Sequence, residues 1–473
     1  MRSYSGKRRS GTSCPIRQPK LRQRSEFRQL AVLISAFALA LGSLTWTLQA
    51  KSSPADAATA QWYHISSPEG GPGDNSLFGI SCATQNDCVA VGGYYPQPGS
   101  GYEAFVEAWD GSSWSSSPSP STTGFLSGVS CTGPDFCVAV GYTTSGGTDE
   151  ALIETWDGSE WAVTASSVTG TAVLYSVSCV GSTFCVAVGD QTSAEETLAE
   201  SWNGSSWSTM ASPGSGSGEA LDGVSCLSTT NCVAVGSQAS GENTDTLVES
   251  WNGTSWSVVP SPSDSSFPVN VLASVSCTSS TSCMAVGVRA TSQTAEVLIE
   301  EWDGSSWSIG SNTGSYGLFG VSCVSAEDCV AVGSLGVIES WDGTSWSNIP
   351  TPKPTKAGAS LYDVSCTVTN CVASGEIRNR PKENAKTFVA SSSPLPPTVK
   401  KIHPRRGGVS HRVTITGTNF LGPTTVTFNG TTADISSETS SKITTAVPSG
   451  ATSGPVEVTT GGGTATGASF TVT

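Results

Sequence analysis

Residues Phe125–Ser166 read FLSGVSCTGPDFCVAVGYTTSGGTDEALIETWDGSEWAVTAS. Four short runs within it, FLSGVSC, CVAVGY, ALIETW and EWAVTAS, are rich in β-branched and aromatic residues and bounded by turn residues, which predicts four strands. In the third run apolar and polar residues alternate, the pattern of a strand with one packed face. Two cysteines six residues apart bracket the first turn. Trp-Asp-Gly and a second Trp bracket the last, and Asp-Gly is a strong hairpin signal because glycine accepts positive φ.

The same stretch recurs along the chain. Cys82 and Cys88, Cys131 and Cys137, Cys179 and Cys185, Cys226 and Cys232, Cys277 and Cys283, Cys323 and Cys329, and Cys366 and Cys371 form seven close pairs, whose first members lie 49, 48, 47, 51, 46 and 43 residues apart. WDGSSW or a close variant follows at Trp109, Trp156, Trp202, Trp251, Trp302 and Trp341. A four-stranded unit repeated with a period in the forties predicts a β-propeller. The seventh unit has LYDVSC, CVASGEI and TFVASS but no Asp-Gly turn and no fourth strand. The missing strand stands at the other end, as QWYHISSP (Gln61–Pro68), a match to SWSVVPSP. We therefore expect a seven-bladed β-propeller closed by its N-terminal strand, all-β in class, because closure removes the exposed sheet edges. Each cysteine pair is expected to form a local disulfide that locks its hairpin and contributes about 2 kcal/mol by loop entropy. Zinc is the alternative, but His partners and CxxC spacing are absent.

These units resemble the blades of kelch and galactose-oxidase-like propellers, with an apolar second strand ending in glycine and a later Trp. They depart from them too: the Gly-Gly doublet of kelch blades occurs only as Gly92-Gly93. The WDGSSW hairpin resembles the Asp-box of sialidases but lacks the residue between Asp and Gly. From about Pro396 onward the chain resembles an IPT/TIG domain, an immunoglobulin-like β-sandwich, through PTVKKIHPRRGG, VTITGTNF (Val413–Phe420), VTFNG (Val426–Gly430), AVPSGATSG and VEVTT. That resemblance implies a small binding or spacer module behind the linker SSSPLPP (Ser391–Pro397). The expected organisation is a basic N-terminus with a signal or anchor (1–60), the propeller (61–392) and the immunoglobulin-like domain (393–473).

Charge is unevenly spread. Of the 23 Lys and Arg, nine lie between Arg2 and Arg28. From Gln61 to Pro352 there are 30 Asp and Glu against Arg289 alone, a balance of 1 − 30 = −29. Such a body repels phosphate backbones, so no nucleic-acid partner is expected. Eleven basic residues then fall between Lys353 and Arg412. The charge-free window Gln29–Ala50, after a basic flank and before small residues at Ala55–Ala60, fits a cleaved secretory signal and an uncleaved anchor equally well. Either one exports the chain, to a secreted or cell-surface location. The membrane is then met only through this segment. Cys14 lies ahead of it, apart from the seven pairs.

For chemistry, the resemblance to galactose oxidase raises copper, which wants several His ligands. The propeller has only His64, with His403 and His411 in the C-terminal domain, so neither a copper oxidase nor a Ser-His-Asp hydrolase is expected. A glycosidase needs only two carboxylates. Glu107, Glu154, Glu200, Glu249, Glu300 and Glu339 each stand two residues before a Trp. Their repetition marks them as hydrogen-bond partners between blades rather than a catalytic pair, whose members need different environments. Residues that break the repeat point to a ligand patch: Tyr94, Tyr95 and Tyr102 in the blade 1 insertion, and Arg378 and Arg380 in the blade 7 insertion, on one rim of a closed ring. The expected function is a non-catalytic, exported binding platform for an extracellular glycan or protein ligand, monomeric, with no cofactor and no metal. A glycoside hydrolase-like enzyme and a structural surface-layer protein are the alternatives.

Overall fold

A computed structural model describes residues 61–97, 101–191, 196–213, 218–311, 314–352, 358–378, 383–394, 396–420, 424–439, 441–460 and 462–473. The signal or anchor window, Cys14 and Arg380 lie outside the described residues. Among those described, no helix is long and apolar enough to cross a membrane.

From Tyr63 to Ser391 the chain forms seven four-stranded antiparallel units. The first is Asn75–Thr84, Asp87–Tyr94, Glu103–Trp109 and Trp114–Ser117, paired in that order. The fourth and fifth units are joined into one sheet by a single parallel bridge, Thr244 with Val269. In the seventh, Gly358–Cys366, Cys371–Arg378 and Lys386–Ser391 are completed by the N-terminal strand Tyr63–Ile65, with Tyr63 opposite Ser391 and Ile65 opposite Val389.

Packing shows why the units close on one another. Each apolar core lies between two sheets. Val138, Val140 and Ile153 of the second unit pack with Leu174, Ala187 and Leu198 of the third. Ile65, Val372 and Val389 of the seventh pack with Leu77, Ala90 and Phe105 of the first. Third strands are therefore buried on both faces, as with Ala104, Phe105, Val106 and Glu107 in succession. The alternation read from the sequence is real, but its polar members are buried as well, because a blade has a neighbour on either side.

A ring of hydroxyls fixes the spacing of the first strands. The serine before each leading cysteine accepts the cysteine N–H of the next unit: Ser81 from Cys131 (2.9 Å), Ser130 from Cys179 (3.0 Å), and so on to Ser365, which accepts from Cys82 at 3.0 Å and so ties the last unit to the first.

All seven cysteine pairs form disulfides: Cys82–Cys88, Cys131–Cys137, Cys179–Cys185, Cys226–Cys232, Cys277–Cys283, Cys323–Cys329 and Cys366–Cys371. Each joins residues directly opposite one another on adjacent strands. Seven such bonds indicate an oxidising environment. Each bridge lies within its own first hairpin, and its two ends differ in exposure. Cys82, Cys131, Cys179, Cys226, Cys277 and Cys323 are partly exposed. Cys88, Cys137, Cys185, Cys232, Cys283 and Cys329 are core residues, at most 6% exposed, and not accessible site positions. The cause is the outer hairpin: each second-strand cysteine lies opposite the first Trp of its unit, as Cys88 does Trp109 and Cys185 does Trp202. Indoles then cover the sulfur, with Cys88 packed among Trp109 and Trp114, and Cys185 among Trp202 and Trp207. The seventh unit lacks that hairpin, and there both Cys366 and Cys371 stay partly exposed.

Two other features of the repeat have physical causes. Each first strand carries a β-bulge four residues before its leading cysteine, at Phe78, Ser127, Tyr175, Asp222, Ala273, Phe319 and Tyr362. The bulge presses backbone onto the glycine ending the second-strand motif: a Cβ on Gly287 would lie 1.9 Å from the Val271 carbonyl oxygen. Hence CVAVG ends in glycine. In the WDGSSW hairpin four residues separate the paired Trp109 and Trp114. Only Gly111 has positive φ, 88°. Asp110 instead caps the turn, its Oδ1 accepting from the Ser112 N–H and hydroxyl and the Ser113 N–H. Asn203 and Asn252 make the same bonds. The aspartate thus acts through its side chain, and the glycine supplies the positive φ. The two Trp rings lie 5.8 Å apart, and the Trp109 indole N–H donates to the Gln85 carbonyl, tying the outer hairpin to the disulfide turn.

Residues Thr398–Val472 form two sheets around a separate core of Ile402, Val413, Ile415, Phe428, Val456 and Phe470. In one sheet Thr398–His403, Arg412–Thr418, Lys442–Ala446 and Ile435–Thr439 are neighbours in that order.

Candidate functional site

The insertions that break the repeat meet at the end of the propeller opposite the disulfides. Tyr95 follows the second strand of the first unit and Tyr102 precedes its third. Their rings lie 3.8 Å apart, and Tyr102 meets Phe125 of the second unit edge-on at 5.2 Å. Phe125 in turn contacts Tyr142 at 5.7 Å and the bulged Phe78 at 4.4 Å. Phe78 stacks on the bulged Tyr362 at 4.4 Å, and Tyr362 reaches the bulged Phe319 at 6.0 Å. The rings form one connected aromatic run across the first, second, sixth and seventh units. Apart from Phe125, all are partly exposed.

Tyr94 stands apart. Neighbouring residues on a strand point to opposite faces, and its ring packs on Phe105 and over Gly70–Gly71 while its hydroxyl donates to Glu103. That bond and partial burial push its pKa up to about 12. Burial, then its hydrogen bond to Tyr95, raises the Tyr102 phenol too. Both are neutral donors at physiological pH.

Arg378 sits beside the aromatic run, bound by Asp74 at 3.2 Å and Glu376 at 3.5 Å. The carbonyl of that same Asp74 accepts the Tyr95 N–H at 3.0 Å. Glu376 also accepts from the Ser76 hydroxyl at 2.5 Å. The structure therefore brings Tyr95, Tyr102 and Arg378 to one seam, with carboxylates between the guanidinium and the rings. Phe78, Phe125, Tyr142, Phe319, Tyr362, Asp74 and Glu376 are additions that the insertions alone did not reveal. Comparing the bulge position among repeats would have flagged three of them, Phe78, Phe319 and Tyr362, but also Tyr175 of unit 3, which is not one of the run, against Ser127, Asp222 and Ala273 in units 2, 4 and 5.

The repeated third-strand glutamates are elsewhere. All six are at most 3% exposed. Glu154 accepts from Ser119 (2.8 Å), Glu249 from Ser212 (2.7 Å) and Glu300 from Ser261 (2.6 Å), in each case a hydroxyl that follows the preceding unit. Glu200 accepts the Ser166 hydroxyl (2.8 Å), the Ser167 N–H (2.7 Å) and the Ser167 hydroxyl. Burial pushes Glu154, Glu249 and Glu300 up to about 7, each held back by its serine. Glu107 differs. Ser67, the corresponding hydroxyl, donates instead to Thr387 at 2.8 Å, and neither Glu107 carboxyl oxygen has a hydrogen-bond partner. Burial pushes Glu107 up to about 9, with Ser67 close enough to offset only part of the rise. Glu154, Glu200, Glu249 and Glu300 join neighbouring units through these bonds, and all six carboxyls are buried.

His64 stacks on Phe388 at 5.2 Å, and its burial lowers its pKa. His403 and His411 are exposed in the C-terminal domain. No group of three or more His, Cys, Asp or Glu able to hold a metal ion occurs among the described residues.

Residues 397–472 match the IPT/TIG domain family. The chain is also similar, at low identity, to several solved structures. YCF48 bound to a D1 peptide is 12% identical, with 71% of this chain and 96% of that one covered and a TM-score of 0.48. The WD40 β-propeller domain of Doa1 is 12% identical, with 70% and 96% covered and a TM-score of 0.47. A fungal alcohol oxidase of the AA5 family, in complex with copper, is 11% identical, with 88% and 100% covered and a TM-score of 0.46. No curated protein sequence matches this chain.

Proposed function

We propose that this all-β chain, a propeller followed by an IPT/TIG domain, is an exported, non-catalytic binding protein that holds a glycan or protein ligand at the seam between its first and last units. The observation that carries the reading is the run of rings from Tyr95 to Tyr362, partly exposed except for Phe125, beside the Asp74–Arg378–Glu376 cluster. Aromatic faces stack on sugar rings or on apolar side chains, while the ion cluster orients hydroxyls or amides. Export is supported by the seven disulfides and by the basic-then-apolar N-terminus. A hydrolase would need a pair of accessible carboxyls, and the repeated glutamates are buried.

The test is a thermal-shift and binding screen with neutral and acidic polysaccharides, isolated cell walls and extracellular proteins. A ligand at 100 times its Kd stabilises by about 2.7 kcal/mol. Binding that Tyr95→Ala and Tyr102→Ala each weaken at least tenfold supports the seam. A ligand held equally well by both variants would refute it.

A further inference from the structure

The two described propeller arginines each lie between two carboxylates: Arg289 between Asp264 (2.8 Å) and Glu296 (3.2 Å), and Arg378 between Asp74 and Glu376. The IPT/TIG domain is built differently. From Pro396 to Thr473 it carries six Lys and Arg (400, 401, 405, 406, 412 and 442) against three Asp and Glu (434, 438 and 457). None of those six cations forms a salt bridge among the described residues.

Strand register collects three of them on one face. Directly opposed residues of antiparallel strands point the same way. Lys401 is opposite Thr416, which is opposite Lys442. His403 is opposite Thr414, which is opposite Thr444, and Arg412 stands two residues before Thr414 on the same side. The hydroxyls of Thr439 and Ser437 extend those rows, being opposite Lys442 and Thr444. Ile402, Val413, Ile415 and Ile443 alternate with these positions and fill the core behind. Glu438 falls in the other register, opposite Ile443, and accepts the Thr424 hydroxyl. Lys401, His403, Arg412, Lys442, Ser437 and Thr439 are exposed and Thr414 and Thr416 partly so, while Thr444 is buried between them. The exposed part of this face carries cations and hydroxyls without a carboxylate. Its rows follow the spacings of a sheet, about 5 Å between strands and about 7 Å between same-face residues.

We propose that this face binds a linear, phosphate-bearing polymer outside the cell, with Lys401, Arg412 and Lys442 holding successive phosphates and the threonines its hydroxyls. Lysine and arginine at such intervals fit a flexible polyanion, which they bind by releasing counterions. The face has no Trp, Tyr, Phe, Leu or Ile at its outward positions, so nothing on it would enter a lipid layer. The propeller of a second copy is a poorer partner than its charge suggests. Six of its glutamates are buried, and Asp110, Asp157, Asp303 and Asp342 are occupied in capping turns. This inference is independent of the aromatic seam.

The experiment uses residues 61–473, which keep the N-terminal strand that completes the seventh unit, so that the Arg-rich N-terminus does not contribute. Binding to long-chain inorganic polyphosphate is titrated at several salt concentrations. Three phosphate contacts give a slope of log affinity against log salt of about −2. K401E/R412E/K442E should lower affinity at least tenfold and flatten the slope, and K386E, on the propeller, should leave both unchanged. If the charge-reversed protein melts early, K401Q/R412Q/K442Q replaces it with the same expectation. No polyphosphate binding at low salt, equal binding by the variants, or tighter binding to phosphatidylglycerol vesicles than to polyphosphate overturns the proposal. So does self-association that the charge reversal abolishes while polyphosphate binding stays the same.

Discussion

Glu107→Gln should stabilise the propeller near neutral pH, while Glu200→Gln, at the equivalent position two blades away, should destabilise it. The Glu107 carboxyl is buried, lacks hydrogen-bond partners and has its pKa pushed up to about 9 from an ordinary 4.5. Folding therefore takes up a proton. A raised pKa contributes stability that is full below pH 4.5 and is lost as pH rises toward 9, at about 1.4 kcal/mol per pH unit. By pH 7 the loss is roughly 3 kcal/mol, an order-of-magnitude figure. Glutamine does not titrate, so the variant escapes that loss. It should match the natural protein at pH 4 and exceed it by up to about 3 kcal/mol at pH 7. For about 330 propeller residues, with an unfolding entropy near 2.1 cal/mol/K each, that is a rise in Tm of about 4 °C. At Glu200, by contrast, three donors point at the carboxylate. An amide would turn its NH2 toward one of them, costing about 2 kcal/mol. The assay is guanidinium or thermal unfolding of both variants at pH 4, 5.5 and 7.5. A Glu107→Gln protein no more stable than the natural one at pH 7.5 would refute the argument, since it would mean that the carboxyl is ionised and solvated there.

Across the whole chain, stability should peak near pH 4 to 5. Above that range Glu154, Glu249 and Glu300, raised to about 7, lose their contribution as pH climbs. Below it the turn-capping aspartates lose theirs: Asp342, held down to about 2 by Thr344 and Ser345, contributes fully above its ordinary 3.8 and loses that contribution as pH falls from there toward 2. A Tm profile rising steadily from pH 4 to 8 would contradict this. Asp303→Asn should be nearly neutral, because Asn203 makes the same turn bonds, whereas Asp303→Ala should lower the denaturation midpoint, read by chemical denaturation. Gly287→Ala, whose Cβ would lie 1.9 Å from the Val271 carbonyl oxygen, should cost more than about 3 kcal/mol or prevent folding, as judged by soluble yield and circular dichroism. Ser130→Ala removes the acceptor of the Cys179 N–H and should cost about 1 kcal/mol in the same denaturation assay.

The fold was legible because it is written repeatedly. Cysteine spacing gave the unit, the Trp-bracketed turn gave its outer hairpin, and the orphaned QWYHISSP gave its closure. What escaped had no local signature. The bulge comes from packing first strands around an axis, so its glycine reads in sequence merely as the end of an apolar run. The role of serine before each leading cysteine depends on a neighbour some 50 residues away. Spacing paired the cysteines, but not which sulfur of each pair the indoles would bury. The candidate site was half-visible: the insertions exposed Tyr95, Tyr102 and Arg378, but Tyr94 faces the other way because strands alternate. Phe78 and Tyr362 lie within ordinary blade sequence and meet only when the ring closes.

That closure has a mechanical side. Tyr63 lies opposite Ser391 and Ile65 opposite Val389, so the N-terminal strand enters and the last propeller strand leaves at the same end of one antiparallel pair. Tension between the two ends of the ring would load the pair in peeling rather than shear, parting Tyr63 from Ser391, then His64 from Ala390, then Ile65 from Val389. Antiparallel pairs pulled this way yield one rung at a time. The disulfide beside the turn of each first hairpin then withholds the few residues between its cysteines from extension at every blade. Pulled from both ends, the protein should therefore open at a weak latch first and give up the rest of its length in disulfide-limited steps.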